Sequence, residues 1–221
     1  MEISNQILVQ SGLFAGISRP EIETMMNCLR AREVKVKKGE MIYRDGDFVS
    51  EAGLILDGTI HRLQEDYWGN RNIVAVLQAG DVFGEVSACL GTERIEGYIR
   101  AETDCRILFI NLRKAMHTCH NTCLFHQRLV ENLLYLIARK NLNLTAKLQT
   151  ISKRSIREKV LAYLLEESRK QRSLYVTIPL TRQQMADFLA VDRSALSKEL
   201  ARMKTDRLIE YERNHFRLIT R

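Results

Sequence analysis

As far as Gly97, residues such as Val, Ile, Leu and Tyr gather in short runs, broken by Gly39, Gly46, Gly53, Gly58, Gly69, Gly80, Gly84, Gly91 and Gly97. Turn residues at that spacing predict many short strands closed into an antiparallel β barrel or roll. No glycine follows Gly97, and stretches such as residues 129–148 and 155–170 carry apolar residues at three- and four-residue intervals without Gly or Pro. Those stretches are predicted helices.

One helical stretch has a narrower pattern. Val130, Leu134, Ile137, Asn141, Leu144, Leu148 and Ile151 follow a 4-3-4-3-4-3 spacing, the repeat of a coiled-coil seam. Leu134, Asn141 and Leu148 take a positions and the others d positions. One polar Asn at an a position fixes register and strand number at some cost in stability, so the seam predicts a homodimer. Leu129, Leu133, Leu136 and Leu142 add a second apolar face for the helix to bury. Packing of the seam residues inside one chain is the competing reading.

Residues 181–200 carry the strongest motif. Thr181, after Pro179-Leu180, can cap a helix that buries Met185, Ala186 and Leu189. Ala190 suits a tight turn, and Asp192 can cap a second helix that buries Leu196, Leu200 and Met203. Arg193, Ser194, Ser197 and Lys198 then face outward near its N-terminal half, where a recognition helix meets base edges in the major groove. Thr181, Arg182 and Gln183 open the first helix of this helix-turn-helix and join the candidate DNA contacts. Residues 208–219 alternate apolar and polar about an Arg213-Asn214 turn, a hairpin wing from which Arg213, Asn214 and His215 would reach phosphates.

Charge sharpens this picture. The 221 residues carry a formal net charge of +7, yet residues 147–221 alone hold 17 Lys and Arg against 9 Asp and Glu. The basic excess belongs to the last third, as a nucleic-acid-binding end requires; a solvated basic face is the plainer alternative. With 45% hydrophobic and 28% charged residues, the chain has the composition of a globular protein, not a disordered one. The longest apolar run, residues 133–138, is far short of the roughly 20 residues that cross a bilayer. The N-terminus lacks a basic stretch followed by an apolar block. Both point to the cytoplasm, as do five scattered cysteines, expected as reduced thiols. No Gly-x-Ser-x-Gly, P-loop, Gly-x-Gly-x-x-Gly or His-Glu-x-x-His motif suggests an enzyme. Asp45 and Asp47 flank Gly46 in what reads as a turn.

Leu13-Phe14, the spaced glycines, Gly80-Asp81-Val82-Phe83-Gly84-Glu85, the long helix, and Leu180-Thr181-Arg182-Gln183-Gln184-Met185-Ala186 together resemble the cyclic-AMP receptor protein and fumarate-nitrate reductase regulator (Crp/Fnr) family of bacterial transcription factors. The resemblance spans nearly the whole chain. It implies an α+β architecture: an N-terminal cyclic-nucleotide-binding-type β jelly roll, a long dimerisation helix, and a C-terminal winged helix-turn-helix on an inverted-repeat operator. The expected domains are residues 1–112, 113–151 and 152–221. An activator would also meet RNA polymerase. The implied effector pocket comprises Gly84, Glu85, Val86, Ile95 and Glu96 of the roll with Leu144 and Thr145 of the helix. In nucleotide-binding members the Gly approaches the phosphate and the Glu holds the ribose hydroxyl.

Two departures bear on function. Nucleotide-binding members place an Arg-Ser pair eleven residues after the Gly; here that count falls on Ile95-Glu96, and a carboxylate repels a phosphate. Arg94 lies one residue early, which sends a strand side chain to the opposite face. Cyclic AMP is therefore not the expected ligand, and Glu85 is left to answer a backbone N–H or Arg100. In the recognition helix, members with the best-known operators carry Arg-Glu and a later Arg where this chain has Arg193, Ser194 and Lys198, so the operator should differ.

His117, Cys119, His120, Cys123 and His126 crowd half of the chain's Cys and His residues into ten positions. They suit a metal, haem or redox-thiol sensor between roll and helix; ordinary packing of small apolar cysteines is the alternative. The N-terminal cysteine cluster of iron–sulfur members is missing. A regulatory module using the same roll for a cyclic nucleotide, without reading DNA, is the competing function.

Overall fold

The computed structural model describes residues 6–69, 71–91, 94–117 and 124–219, with the side chains of 115–117 left aside. Two compact units form: Met1–Asn70 with Val74–Lys140, and Arg71–Ile73 with Asn141–Arg221.

The first unit begins with α1 (Gln6–Gln10), a 3-10 turn at Gly12–Phe14, and α2 (Arg19–Cys28). Ser18 and Glu21 form a capping box at the start of α2, satisfying two backbone donors that a helix end leaves unpaired. The strands are β1 (Arg32–Val36), β2 (Met41–Tyr43), β3 (Ala52–Asp57), β4 (Thr59–Glu65), β5 (Arg71–Gln78) and β6 (Val82–Phe83), then α3 (Glu85–Leu90), β7 (Tyr98–Ala101) and β8 (Cys105–Ile110). Two four-stranded sheets result, ordered β1-β8-β3-β6 and β2-β7-β4-β5. The pairs of β8 with β1 and β3, of β3 with β6, and of β7 with β2 and β4 are antiparallel. Leu54 and Ile107 of one sheet share a buried core with Ile60, Ile99 and Ala101 of the other. Burial of these side chains, at about 1.5–3 kcal/mol each for the large ones, makes the roll a domain core in its own right. Gly97 shows why glycine is needed at a turn: φ is +80°, and a Cβ there would stand 2.2 Å from the Leu63 carbonyl oxygen. The turn at Gly46 is held by Asp47, which accepts the Arg44 N–H at 2.7 Å, and by Asp45, which accepts that of Gly97 at 2.7 Å. These carboxylates serve the backbone, as their place in a turn suggests.

After α4 (Leu112–His117), α5 (Leu124–Ile151) runs for 28 residues. The boundary between units falls inside it, after Lys140. Its Leu129 and Leu133 are buried in the roll core, with Leu136 and Ile137 half-buried against it. Asn132 Nδ2 donates to the Leu13 carbonyl at 3.0 Å and the Ala15 carbonyl at 2.9 Å, and Arg128 to that of Gly16. The two-faced reading of this helix needs two corrections. Ile137, assigned to the seam, leans on the core, and Leu142, assigned to the buried face, is 71% exposed.

The second unit adds α6 (Ile156–Gln171), β9 (Tyr175–Thr177), α7 (Arg182–Leu189), α8 (Arg193–Thr205), β10 (Ile209–Glu212) and β11 (His215–Leu218). Arg157 of α6 pairs with Glu199 at 2.6 Å and Asp206 at 2.7 Å, tying α6 to α8. The rings of Tyr163 and Phe188 lie 5.0 Å apart, tilted by 40°, and Lys147 lies 4.1 Å over the Phe188 ring, with burial bringing its pKa down to about 8. The strands form one sheet, β10-β11-β9. The alternating pattern predicts the hairpin; β9 is an addition that only the fold reveals. Among the described residues no helix is long and apolar enough to cross a membrane.

Candidate nucleic-acid interface and effector pocket

Helix α7 starts where Thr181 accepts the Gln184 N–H and Gln184 answers the Thr181 N–H at 2.9 Å. Ala190, at φ 51°, ends it in the left-handed region, a conformation a small residue takes with least crowding. Asp192 then caps α8 by accepting the Ala195 N–H at 2.8 Å. Hydrogen bonds from Ser194 and the Ala195 N–H hold the Asp192 carboxyl below its usual range, so it carries negative charge at the positive end of the helix.

Leu196, Leu200 and Met203 are fully buried, and Arg193, Ser194, Ser197 and Lys198 are exposed on the opposite face. The two hydroxyls have local partners: Ser194 Oγ donates to Asp192 Oδ1 at 2.6 Å, and Ser197 Oγ to the Arg193 carbonyl at 3.0 Å. Arg193 and Lys198 are the long cationic arms of that face. Gln183 is exposed on α7, its amide bonded to Asp187 at 2.7 Å.

The wing corrects two expectations. Arg182 is half-buried, its Nη2 donating to the Arg213 carbonyl at 3.0 Å and its guanidinium 5.3 Å from the Tyr211 ring and 5.5 Å from that of Phe216. Burial lowers its pKa, although a guanidinium stays charged. Asn214 donates from Nδ2 to the Ile178 carbonyl at 3.0 Å, and His215 Nδ1 lies 3.0 Å from Thr177 Oγ1. Arg182 and Asn214 are thereby engaged within the unit, whereas His215 stays exposed, as does Arg213 at φ 53°.

In the roll, Gly84 precedes α3 at φ 70° and Glu85 opens that helix as a buried carboxylate. Its partner is Lys140 of α5, whose Nζ donates to Glu85 Oε1 at 2.7 Å and also to the Val82 carbonyl. The proposed partner Arg100 instead pairs with Glu102. Val86 and Glu96 are exposed and Ile95 is buried; Arg94 turns outward to donate to the Gly46 carbonyl at 2.7 Å. Leu144 and Thr145 are exposed, the Thr145 hydroxyl bonded to the Asn141 carbonyl at 3.0 Å within α5. Lys140, which no motif marked, is the α5 residue that meets Glu85.

Residues 33–122 match the model of the cyclic nucleotide-binding domain, and residues 158–221 match the Crp-like helix-turn-helix domain. The chain belongs to the Crp/Fnr family of transcription regulators. Members of the family regulate transcription and are not enzymes. The fold is similar to that of FixK2 from Bradyrhizobium japonicum, with TM-score 0.67 and 20% identity over 86% of this chain and 93% of that one. It is also similar to the c-di-GMP-responsive regulator CLP of Xanthomonas campestris, with TM-score 0.73 and 15% identity over 90% and 98%. A CooA variant from Carboxydothermus hydrogenoformans gives TM-score 0.70 and 17% identity over 99% and 92%. No curated protein sequence matches the chain.

In this Crp/Fnr chain the seam residues Val130, Leu134, Leu144 and Leu148 are exposed, as is Asn141. Of the Cys/His cluster, Cys119, His120 and Cys123 lie outside the described residues, as does the side chain of His117. His126 is buried, its ring 5.0 Å from that of Phe125 and its Nδ1 without a hydrogen-bond partner among the described residues. No group of three or more metal-binding side chains occurs among the described residues. Cys105 is buried and donates to the Thr103 carbonyl at 3.2 Å, while burial pushes the Cys89 thiol up, which makes it a poor nucleophile.

Proposed function

We propose that this chain is a cytoplasmic, homodimeric regulator that reads an inverted repeat in double-stranded DNA and answers a signal entering its roll. Residues 1–112 would sense, 113–151 connect and dimerise, and 152–221 bind DNA. The observation that supports DNA reading best is α8, with Leu196, Leu200 and Met203 at 0% exposure on one face and Arg193 and Lys198 standing out on the other. Arg193 reads a base edge and Lys198 a phosphate or base; Gln183 and Arg213 contact the backbone, and Thr181, Ser194 and Ser197 shape the helix starts. If the protein activates transcription, RNA polymerase is a further partner.

The signal is a small molecule, a metal or a redox change. Cyclic AMP fits poorly, because Glu85 is already paired with Lys140 and the position expected to face a cyclic phosphate holds the apolar Ile95. Duplexes selected from a randomised pool test the DNA reading by mobility shift. Binding should weaken steeply with salt, and Arg193→Ala should cost about 1–3 kcal/mol and relax preference at one base pair. Absence of salt-dependent binding in the wild type would sink it.

A further inference from the structure

The wing of the second unit is short. Strands β10 and β11 have four residues each, and a two-stranded hairpin of that size is marginal in water. β9 adds three cross-strand pairs along β11, which leaves β10 and the turn needing further support. Tyr211 of β10 and Phe216 of β11 are register partners whose rings stack at 5.8 Å with 30° between planes. The guanidinium of Arg182 lies over both rings while its Nη2 grips the Arg213 carbonyl at 3.0 Å. Its Nη1 reaches the sulfur of the buried Met185 at 3.7 Å. Lys204 of α8 approaches the Tyr211 ring to 5.5 Å, so both helices of the motif hold the same ring. Within the turn, Asn214 binds the Ile178 carbonyl through its side chain and accepts the Ile178 N–H at 2.9 Å through its own carbonyl.

We propose that Arg182 is a positioning residue that clasps the wing to the helix-turn-helix, so that Arg213, and not Arg182, carries the wing's charge to the DNA backbone. The proposal rests on the DNA-binding reading above. A guanidinium is planar and forked, which lets one side chain cover two ring faces and still donate in plane to a carbonyl. The exposed side chain of Arg213 extends from the backbone that this contact pins.

Mixed-sequence duplex DNA, whose binding is dominated by phosphates, provides the test in a salt series with the full-length protein. Arg213→Ala should reduce the salt slope by about 0.9 for each protomer bound. Arg182→Ala should weaken binding in the wild-type background, yet add less than about twofold once Arg213 is Ala and leave the slope of that variant unchanged, because coupled residues do not add. Arg182→Lys should weaken binding nearly as much as Arg182→Ala, since the fork is lost. Multiplying losses, a second drop in slope of about 0.9 for each protomer bound, or near-wild-type binding by Arg182→Lys would each mean direct phosphate contact and overturn the proposal.

Hydrogen exchange without DNA keeps the two readings separable. Arg182→Ala should speed exchange of the amides from Tyr211 to Phe216 and leave α6 and α8 protected. Unchanged wing exchange would overturn the clasp, even if the wild type binds no DNA.

Discussion

Two arginines of the helix-turn-helix meet opposite fates. Arg193 follows the Asp192 cap, and the helical phase set by Leu196, Leu200 and Met203 turns it outward; that outcome is legible in the local pattern. Arg182 has an equally polar position, but its partners are rings at positions 211 and 216 and a carbonyl at 213. Nothing within a helical turn of Arg182 announces them. His61 shows the same limit: a polar residue of β4, opposite Arg100, it is 1% exposed with its Nδ1 3.6 Å from Glu102. Desolvation outweighs the attraction of Glu102 and holds its pKa below 6.5. The folded roll therefore binds the proton less readily than the unfolded chain. The stability this gives is present above the ordinary pKa and falls as pH drops from about 6.5 toward the lower folded value. Thermal unfolding between pH 7 and pH 5 should show a loss in the wild type that His61→Gln reduces; equal losses in both would remove His61 from the account.

At the scale of elements, α5 is where pattern and packing diverge most. Its heptad spacing and its length were readable, because both are periodic properties of one segment. Which apolar residues are buried was only half readable: Leu129 and Leu133 are, in the roll core, whereas Leu142 is exposed. The helix's polar face holds the more consequential residue. Lys140 reaches the buried Glu85 across 55 positions of sequence, and removing one member of such a pair strands the other charge in a poorly solvated place. Lys140→Met should destabilise the roll by on the order of 3 kcal/mol in denaturant unfolding, less to the extent that water reaches the exposed end of the side chain. Glu85→Gln combined with Lys140→Met should recover most of that loss. If the double variant is as unstable as the single one, the pair is not what the lysine contributes.

For the whole molecule, the exposed seam ties the sensing and DNA-reading proposals together. Leu134 is 69% exposed and Leu148 61%, one heptad either side of Asn141 in the same row. A second copy of the helix is the partner that this spacing fits. Leu134→Glu or Leu148→Glu should give a monomer in sedimentation at micromolar concentration. Unfolding of the single chain should hardly change, because neither side chain is buried within it. Affinity for an inverted repeat should fall, because two half-sites are then no longer bound together. A wild-type monomer under those conditions would end the dimer reading.

The sequence by itself determined the glycine-bearing strands, the glycine-free helices, the two helix caps around Ala190 and the basic excess of the last third. Each is set by neighbours within a few residues or by composition, so each is visible along one dimension. Tertiary structure alone decided that Lys140 answers Glu85, that Arg182 belongs to the wing, that Asn214 holds Ile178, and that β9 completes the sheet. Those outcomes depend on which distant segments share a buried, weakly screened space. There an unpaired polar group is costly, and the partner that meets it is whichever one the fold brings within reach.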